Sequence, residues 1–232
     1  MNVTIVPVAH ISEGSVRRVR KAIEETKPDV VAIELDRGRL QALLEKKEPT
    51  LRELASHPFA AAFYIFQTAV GKWLKIMPGS EMLAAVEAAK ESRIPVALID
   101  RDISITMGRL SHIPLSEKLA LVSQIVLSPI AFLPNPFSKR KPLDFERLAK
   151  GREFADLFRE FSAQLPNTYR VLVEERDEHM FSQLLRLKAE NVVVVVGAGH
   201  APGMAKKIRE NGGEKLGEMK YRLAPLPRGI AS

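Results

Sequence analysis

The sequence predicts an α/β protein: a mostly parallel central sheet flanked by helices, with one helical insertion. Two observations carry that prediction. Four apolar runs, VTIVPVA (3–9), VVAI (30–33), PVALI (95–99) and VVVVV (192–196), have strand length and β-branched content and are separated by helix-patterned stretches. Each run also stops at ionisable or glycine-rich sequence: His10, Glu34 with Asp36, Asp100 with Arg101, and Gly197 to His200. Parallel strands would collect those ends on the carboxyl edge of one sheet, where open α/β sheets bind ligands.

The elements follow in order. After the strand at 3–9, Ser12 and Ser15 suit the start of a helix that carries Val16, Val19 and Ile23 at helical spacing, and Lys27-Pro28 ends it. The next strand, 29–33, completes a βαβ unit whose two strands are expected as parallel neighbours joined by a right-handed crossover. Helix is expected from about 39 to 44 and from 51 to 75, then a turn at Pro78-Gly79 and an alanine-rich helix at 81–92 before the strand at 95–99. Residues 104–167 show helix-like pieces between proline-rich loops and no convincing strand, and read as a helical insertion. A helix at 168–189 leads to the strand at 192–196, which is apolar on both faces as a central parallel strand should be. A helix follows Gly203, and 220–223 is a candidate edge strand. The organisation expected for residues 1–232 is thus a single α/β domain interrupted at about 104–167.

The 232 residues can bury roughly 70 to 75% of their unfolded surface. Cysteine is absent, which excludes disulfides, thiolate catalysis and cysteine-held metals, so any metal would be held by His, Asp and Glu. A net charge of +7 raises the question of nucleic acid, but the basic residues are scattered and only 6% of the chain is aromatic, so nucleic acid is not an expected partner. Met1 leads directly into a strand, with no secretory signal, and no run reaches the roughly 20 apolar residues of a spanning helix. A cytoplasmic location is expected. The apolar stretches 59–70 and 119–133 read as core or lid helices that could also lie on a membrane surface.

His10 and His200 occupy matching places after two long apolar runs, and glycines 197 and 199 allow tight turning beside the second. Glu34 abuts a buried run, where an unpartnered carboxylate costs several kcal/mol, so it must meet an arginine, a protonated histidine or a metal. By period-two alternation Asp36 falls on the same side as Glu34. Two histidines and a carboxylate form a usual first shell for zinc, manganese or iron. In the helix at 168–189, Tyr169, Leu172, Val173, Met180, Leu184 and Leu187 share one apolar stripe and Arg176 falls inside it. A guanidinium there needs an anion, with a plain ion pair to Asp100 or Glu34 as the structural alternative. Asp177 lies at the stripe's edge, and Glu175 points away from it. Arg101 belongs to the charged strand end with Asp100, and Glu81 is either a first-turn carboxylate or a site residue.

These same segments resemble the TraB/PrgY family, part of a wider group with the GumN proteins and the Tiki metalloproteases. The resemblance rests on His10 with Ser12 and Ser15, PDVVAIELDRGRL (28–40), PGSEM (78–82), ALIDRDISIT (97–106), ERDEHM (175–180) and VVGAGHAPGM (195–204), and covers about residues 3 to 210. It implies a parallel α/β fold with two G-x-x-H motifs and an acidic residue in a metal-dependent hydrolytic centre. The second motif is Gly197 to His200. In the first, Pro7 stands where the family has glycine, while His10 is retained.

The function expected is therefore that of a metal-dependent hydrolase acting on peptides of the pheromone kind. A divalent ion (Mn, Co or Zn) would be held by His10, His200 and Glu34. Arg176 and Arg101 would steady the oxyanion or a substrate carboxylate, Glu81 or Asp100 would serve as base, and Asp177 would assist. The alternative is a non-catalytic protein that sequesters a peptide or small ligand in the same cleft. TraB-type proteins commonly continue into a membrane-embedded region beyond the part matched here, so membrane association through such a region is a further expectation, and homodimerisation is left open.

Overall fold

A computed structural model describes residues 1–8, 13–45, 80–121, 123, 152–215 and 220–223. His10, the helices expected at 51–75 and most of the stretch 119–133 lie outside them. The chain divides into two compact units, one of residues 1–47, 79–103 and 172–232, the other of residues 48–78 and 104–171.

The first unit is the α/β unit. Its strands are β1 (Asn2–Val8), β2 (Val30–Ile33), β3 (Val96–Leu98), β4 (Asn191–Gly197) and β5 (Lys220–Leu223), ordered β3-β2-β4-β1-β5 with every neighbouring pair parallel. The five strands and their parallel pairing follow the sequence pattern. One expectation is corrected: β1 and β2 are not neighbours, because β4 lies between them. The all-valine strand is buried from Val192 to Val196 and takes the central place.

Alternation along the strands divides the core into two faces. Val6, Val8, Val31, Ile33, Val193 and Val195 pack under helices α1 (Glu13–Thr26) and α3 (Ser80–Glu91), through Val19, Ile23, Met82 and Val86 among others. Val3, Ile5, Ala32, Val192, Val194 and Val196 pack under α6 (Glu175–Leu184) and α7 (Ala201–Lys215), through Met180, Leu184, Met204 and Ile208. The short α2 (Arg37–Glu45) follows β2.

This arrangement locates the site. The chain leaves β1 towards β2 by way of α1 on one face, and leaves β4 towards β5 by way of α7 on the other. Right-handed crossovers running in opposite directions must lie on opposite faces. The connection from β2 to β3 runs through α3 on the same face as α1, so the connections part between the neighbours β2 and β4, a switch point where a crevice opens.

Pro7 is compatible with this core. The Val8 carbonyl accepts from Ala198 N on the β4 side (2.9 Å), so Pro7 faces the β5 side, where the register ends at Ile5 opposite Leu223. Its missing N–H thus falls beyond the described length of β5.

In the second unit the described residues include α4 (Ile103–Leu110, whose first residue belongs to the α/β unit), a helical stretch at 115–121, α5 (Arg152–Gln164) and a single turn, Pro166–Tyr169. The buried Glu117 caps that turn. Its Oε1 accepts from Asn167 N (3.1 Å) and Nδ2 (2.6 Å), and its Oε2 accepts from Thr168 N and Oγ1 (both 2.8 Å). Burial alone would raise its pKa, but these four hydrogen bonds outweigh burial and hold the carboxyl below its usual range.

The end of α3 offers a test of local backbone energetics. Ile94 N bonds Ala89 O and Arg93 N bonds Lys90 O (both 2.9 Å), the double closure of a Schellman motif, with Arg93 at φ 56° in the position that favours glycine. Arg93→Gly is expected to raise unfolding free energy by up to about 1 kcal/mol, read as a higher urea midpoint at unchanged slope. A lower midpoint would show that the arginine side chain contributes more than the strain costs.

Candidate functional site

Arg176 stands at the centre of the carboxyl edge. Its approach is set by an irregularity: the helix expected at 168–189 is instead a turn, then a π-helical segment at Arg170–Glu174, then α6, which ends at Leu184. Single π turns recur at functional sites because they redirect the side chains that follow. Here the Leu172 carbonyl accepts from Arg176 Nη1 at 3.2 Å, fixing the root of the guanidinium.

A guanidinium has five N–H groups, and each one here has an acceptor. Nε donates to Asp100 Oδ1 (3.1 Å) and Nη2 to Asp100 Oδ2 (2.7 Å), a bidentate pair. Nη2 also donates to Glu34 Oε1 (2.5 Å). Nη1 donates to Leu172 O and to His200 Nε2 (2.9 Å). The side chain is 14% exposed. Burial disfavours its charge, yet Glu34 and Asp100 more than offset burial and raise its pKa above the ordinary arginine value.

The hydrogen bonds also determine the form of His200. Arginine can only donate, so Nε2 accepts, and a neutral ring must then carry its proton on Nδ1. Nδ1 lies 2.7 Å from Asp177 Oδ1 and donates to it. This carboxylate-histidine pair is buried. Gly203 admits it, since a Cβ there would stand 1.8 Å from Asp177 Oδ2, and Gly197 admits Glu34, since a Cβ there would stand 3.3 Å from its Oε2. Gly197 N in turn donates to that same Glu34 oxygen at 2.7 Å.

The expected residues thus sort as follows. Glu34, Asp100, Arg176, Asp177 and His200 converge in one network. Arg101, buried, pairs with Glu175 at 2.8 Å beside it, so Glu175 is engaged even though it lies off the stripe. Asp36 diverges from Glu34, because β2 ends at Ile33 and alternation stops applying; its Oδ1 caps α2 by accepting from Arg39 N at 2.9 Å. Glu81 lies in the first turn of α3, and its side chain and His10 are outside the described residues. Sequence reading missed Arg39, whose Nη1 donates to Asp100 Oδ2 (3.2 Å), and the close-approach role of Gly203.

Burial opposes the charge of Asp100, but Arg176 and Arg39 overcome it and hold the carboxyl below its ordinary value. Burial dominates at Asp177 and raises its pKa despite the bond to His200. A cavity of about 300 Å³ opens beside Asp100, lined by Asp36, Arg37, Leu98, Asp102, His179 and Gln183. A larger one, about 440 Å³, lies by Pro28 and Ile94 at the opposite, amino-terminal edge and touches none of these residues.

Whether these groups suit a divalent ion can be tested on spacing. His200 Nε2 and Glu34 Oε1 are 3.3 Å apart, and both are acceptors. Two ligands of a tetrahedral ion with bonds of about 2.1 Å would be separated by about 3.4 Å. The pair is therefore spaced for a shared cation. The cation between them is the Arg176 guanidinium, so as arranged they do not fit a metal as well, and among the described residues no group of three His, Asp or Glu is disposed to hold one.

A family model described as TraB/PrgY/gumN matches residues 2–212. An uncharacterised protein of Methanocaldococcus jannaschii is 31% identical over 226 residues, covering 92% of this chain and 55% of its own length. TraB domain-containing proteins of Bos taurus and Homo sapiens are 29% and 28% identical, each alignment covering 88% of this chain and 62% of the relative. The chain thus spans little more than half the length of the relatives it matches.

Two outcomes are expected at the site. Gly203→Ala drives a methyl into a buried, hydrogen-bonded carboxylate and should destabilise by about 1 to 3 kcal/mol in urea denaturation; a cost near zero would mean that Asp177 is free to move. Asp100, with its pKa depressed in the fold, contributes stability above its ordinary value of 3.8 that is lost as pH falls below it. The unfolding midpoint of Asp100→Asn should therefore be lower than wild type at neutral pH and fall less steeply with acid below pH 3.8, and parallel curves would contradict this.

Proposed function

The chain belongs to the TraB/PrgY/gumN family, and on that premise we propose that it is a hydrolase of peptide-type acyl bonds in which His200 is the base. The observation that carries the proposal is the Asp177 to His200 pair at the carboxyl edge, with Nδ1 protonated and the Nε2 lone pair turned into the network. An imidazole in this form can take a proton from an attacking water, and Asp177 would stabilise the resulting imidazolium.

In the resting arrangement Arg176 Nη1 holds that lone pair. A substrate carbonyl oxygen is itself an acceptor, and by taking over the Nη1 hydrogen it would free Nε2 for water while placing a cation against the developing oxyanion. Substrate arrival and release of the base would be one exchange. Glu34 and Asp100 act in this scheme as positioning residues that keep the guanidinium in register. The peptide class of substrate rests on the resemblance to PrgY-type pheromone-shutdown proteins.

A second reading, hydrolysis with Mn, Co or Zn on His10, His200 and Glu34, is supported by the carboxylate at Nδ1, an arrangement common behind metal-bound histidines. It requires Arg176 to leave its place between His200 and Glu34. Among the described residues no helix is long and apolar enough to cross a membrane.

The test is turnover of a peptide library by the purified chain, with and without each metal. Wild type should cleave and His200→Ala should lose at least about a hundredfold in kcat/KM. Specific binding without cleavage under every condition would instead assign the chain to the sequestering alternative.

A further inference from the structure

We propose that the Arg176 guanidinium is the resident cation of this centre, filling the position between His200 and Glu34 in which a divalent ion would otherwise bind, so that the centre keeps its geometry without metal. The inference concerns occupancy and does not depend on the reaction proposed above.

Three observations lead there. Nε2 of His200 and Oε1 of Glu34 stand 3.3 Å apart, and because Nε2 accepts from Arg176 neither has a hydrogen for the other, so a positive charge between them offsets their repulsion. The charge present is the two-nitrogen edge of Arg176, with Nη1 at 2.9 Å from the imidazole and Nη2 at 2.5 Å from the carboxylate. All five of its N–H groups are engaged, and the bidentate pair with Asp100 anchors it from the opposite side. A dication entering the same space would meet that cation directly, while gaining only lone pairs that already have donors.

The groups that would orient His200 and Glu34 as ligands are nevertheless in place. Asp177 fixes the Nδ1 tautomer, and Gly197 N fixes the second oxygen of Glu34. Hydrogen bonds of this kind set the orientation and basicity of metal ligands. Removing the guanidinium while keeping these groups should therefore uncover a latent cation site, formed by His200 and Glu34 with Asp100 released beside them.

The experiment is calorimetric titration of the intact chain with Zn²⁺ and with Mn²⁺, alongside thermal shift. Wild type should bind neither ion stoichiometrically with micromolar or better affinity. Arg176→Met should gain one equivalent of Zn²⁺ at least about a hundredfold more tightly than wild type, and be stabilised by it. Arg176→Lys, which restores a cation, should not gain it, and adding His200→Ala to Arg176→Met should abolish the gain. Should Arg176→Met fail to fold because Glu34 and Asp100 are left uncompensated, Arg176→Met with Asp100→Asn removes one of those charges and is read in the same way. Tight stoichiometric binding of either ion by wild type overturns the proposal, as does a folded Arg176→Met that gains nothing.

Discussion

A guanidinium withdrawn from water must find five acceptors and countercharge, and much of the α/β unit's carboxyl edge is arranged around meeting that demand for Arg176. Its acceptors come from four places in the chain: Glu34 after β2, Asp100 after β3, His200 after β4, and the Leu172 carbonyl in the π turn. One side chain thereby ties three strand ends to the helix packed over them. Removing one partner from such a cluster leaves an uncompensated buried charge, which typically costs about 3 to 5 kcal/mol, far more than the intact pair contributes over an apolar replacement. The arrangement is thus better understood as fixing positions than as a source of stability.

The backbone makes that cluster reachable. Oppositely directed connections part between β2 and β4, and Glu34 and His200, which follow these two strands, both belong to the cluster. Gly203 lets α7 start against the Asp177 carboxylate, and Gly197 lets Glu34 accept from the last residue of β4. Charge follows from this placement. Glu34, Asp100, Asp177 and Glu175 face Arg176, Arg39 and Arg101, and in that setting burial raises the Asp177 pKa while arginine contacts depress that of Asp100.

Much of this was legible in the sequence because it obeys short-range rules. Apolar runs ending at charged residues located the edge, a cation inside an apolar helical stripe identified Arg176, and the ion pair named as its structural alternative is found, with Asp100 and Glu34 both on it. What escaped depends on departures from regularity. Period-two reasoning put Asp36 with Glu34, but the strand ends one residue before Glu34. The neighbour relation of β1 and β2 failed because a strand more than 150 residues later, βranched and apolar on both faces, intrudes between them. The π turn, the tautomer of His200 and the use of Gly203 are consequences of close packing, and no local pattern announces them.

The hydrogen bonds at this edge require His200 to carry a proton on Nδ1, held by Asp177, and to turn its Nε2 lone pair to Arg176. Nitrogen-15 NMR of the imidazole distinguishes the two tautomers directly. The resting protein should show a protonated Nδ1 and an unprotonated Nε2, with the Nδ1 signal moving on Asp177→Asn and the Nε2 signal moving on Arg176→Lys. A proton on Nε2 would contradict it, since that nitrogen could then accept nothing from the guanidinium.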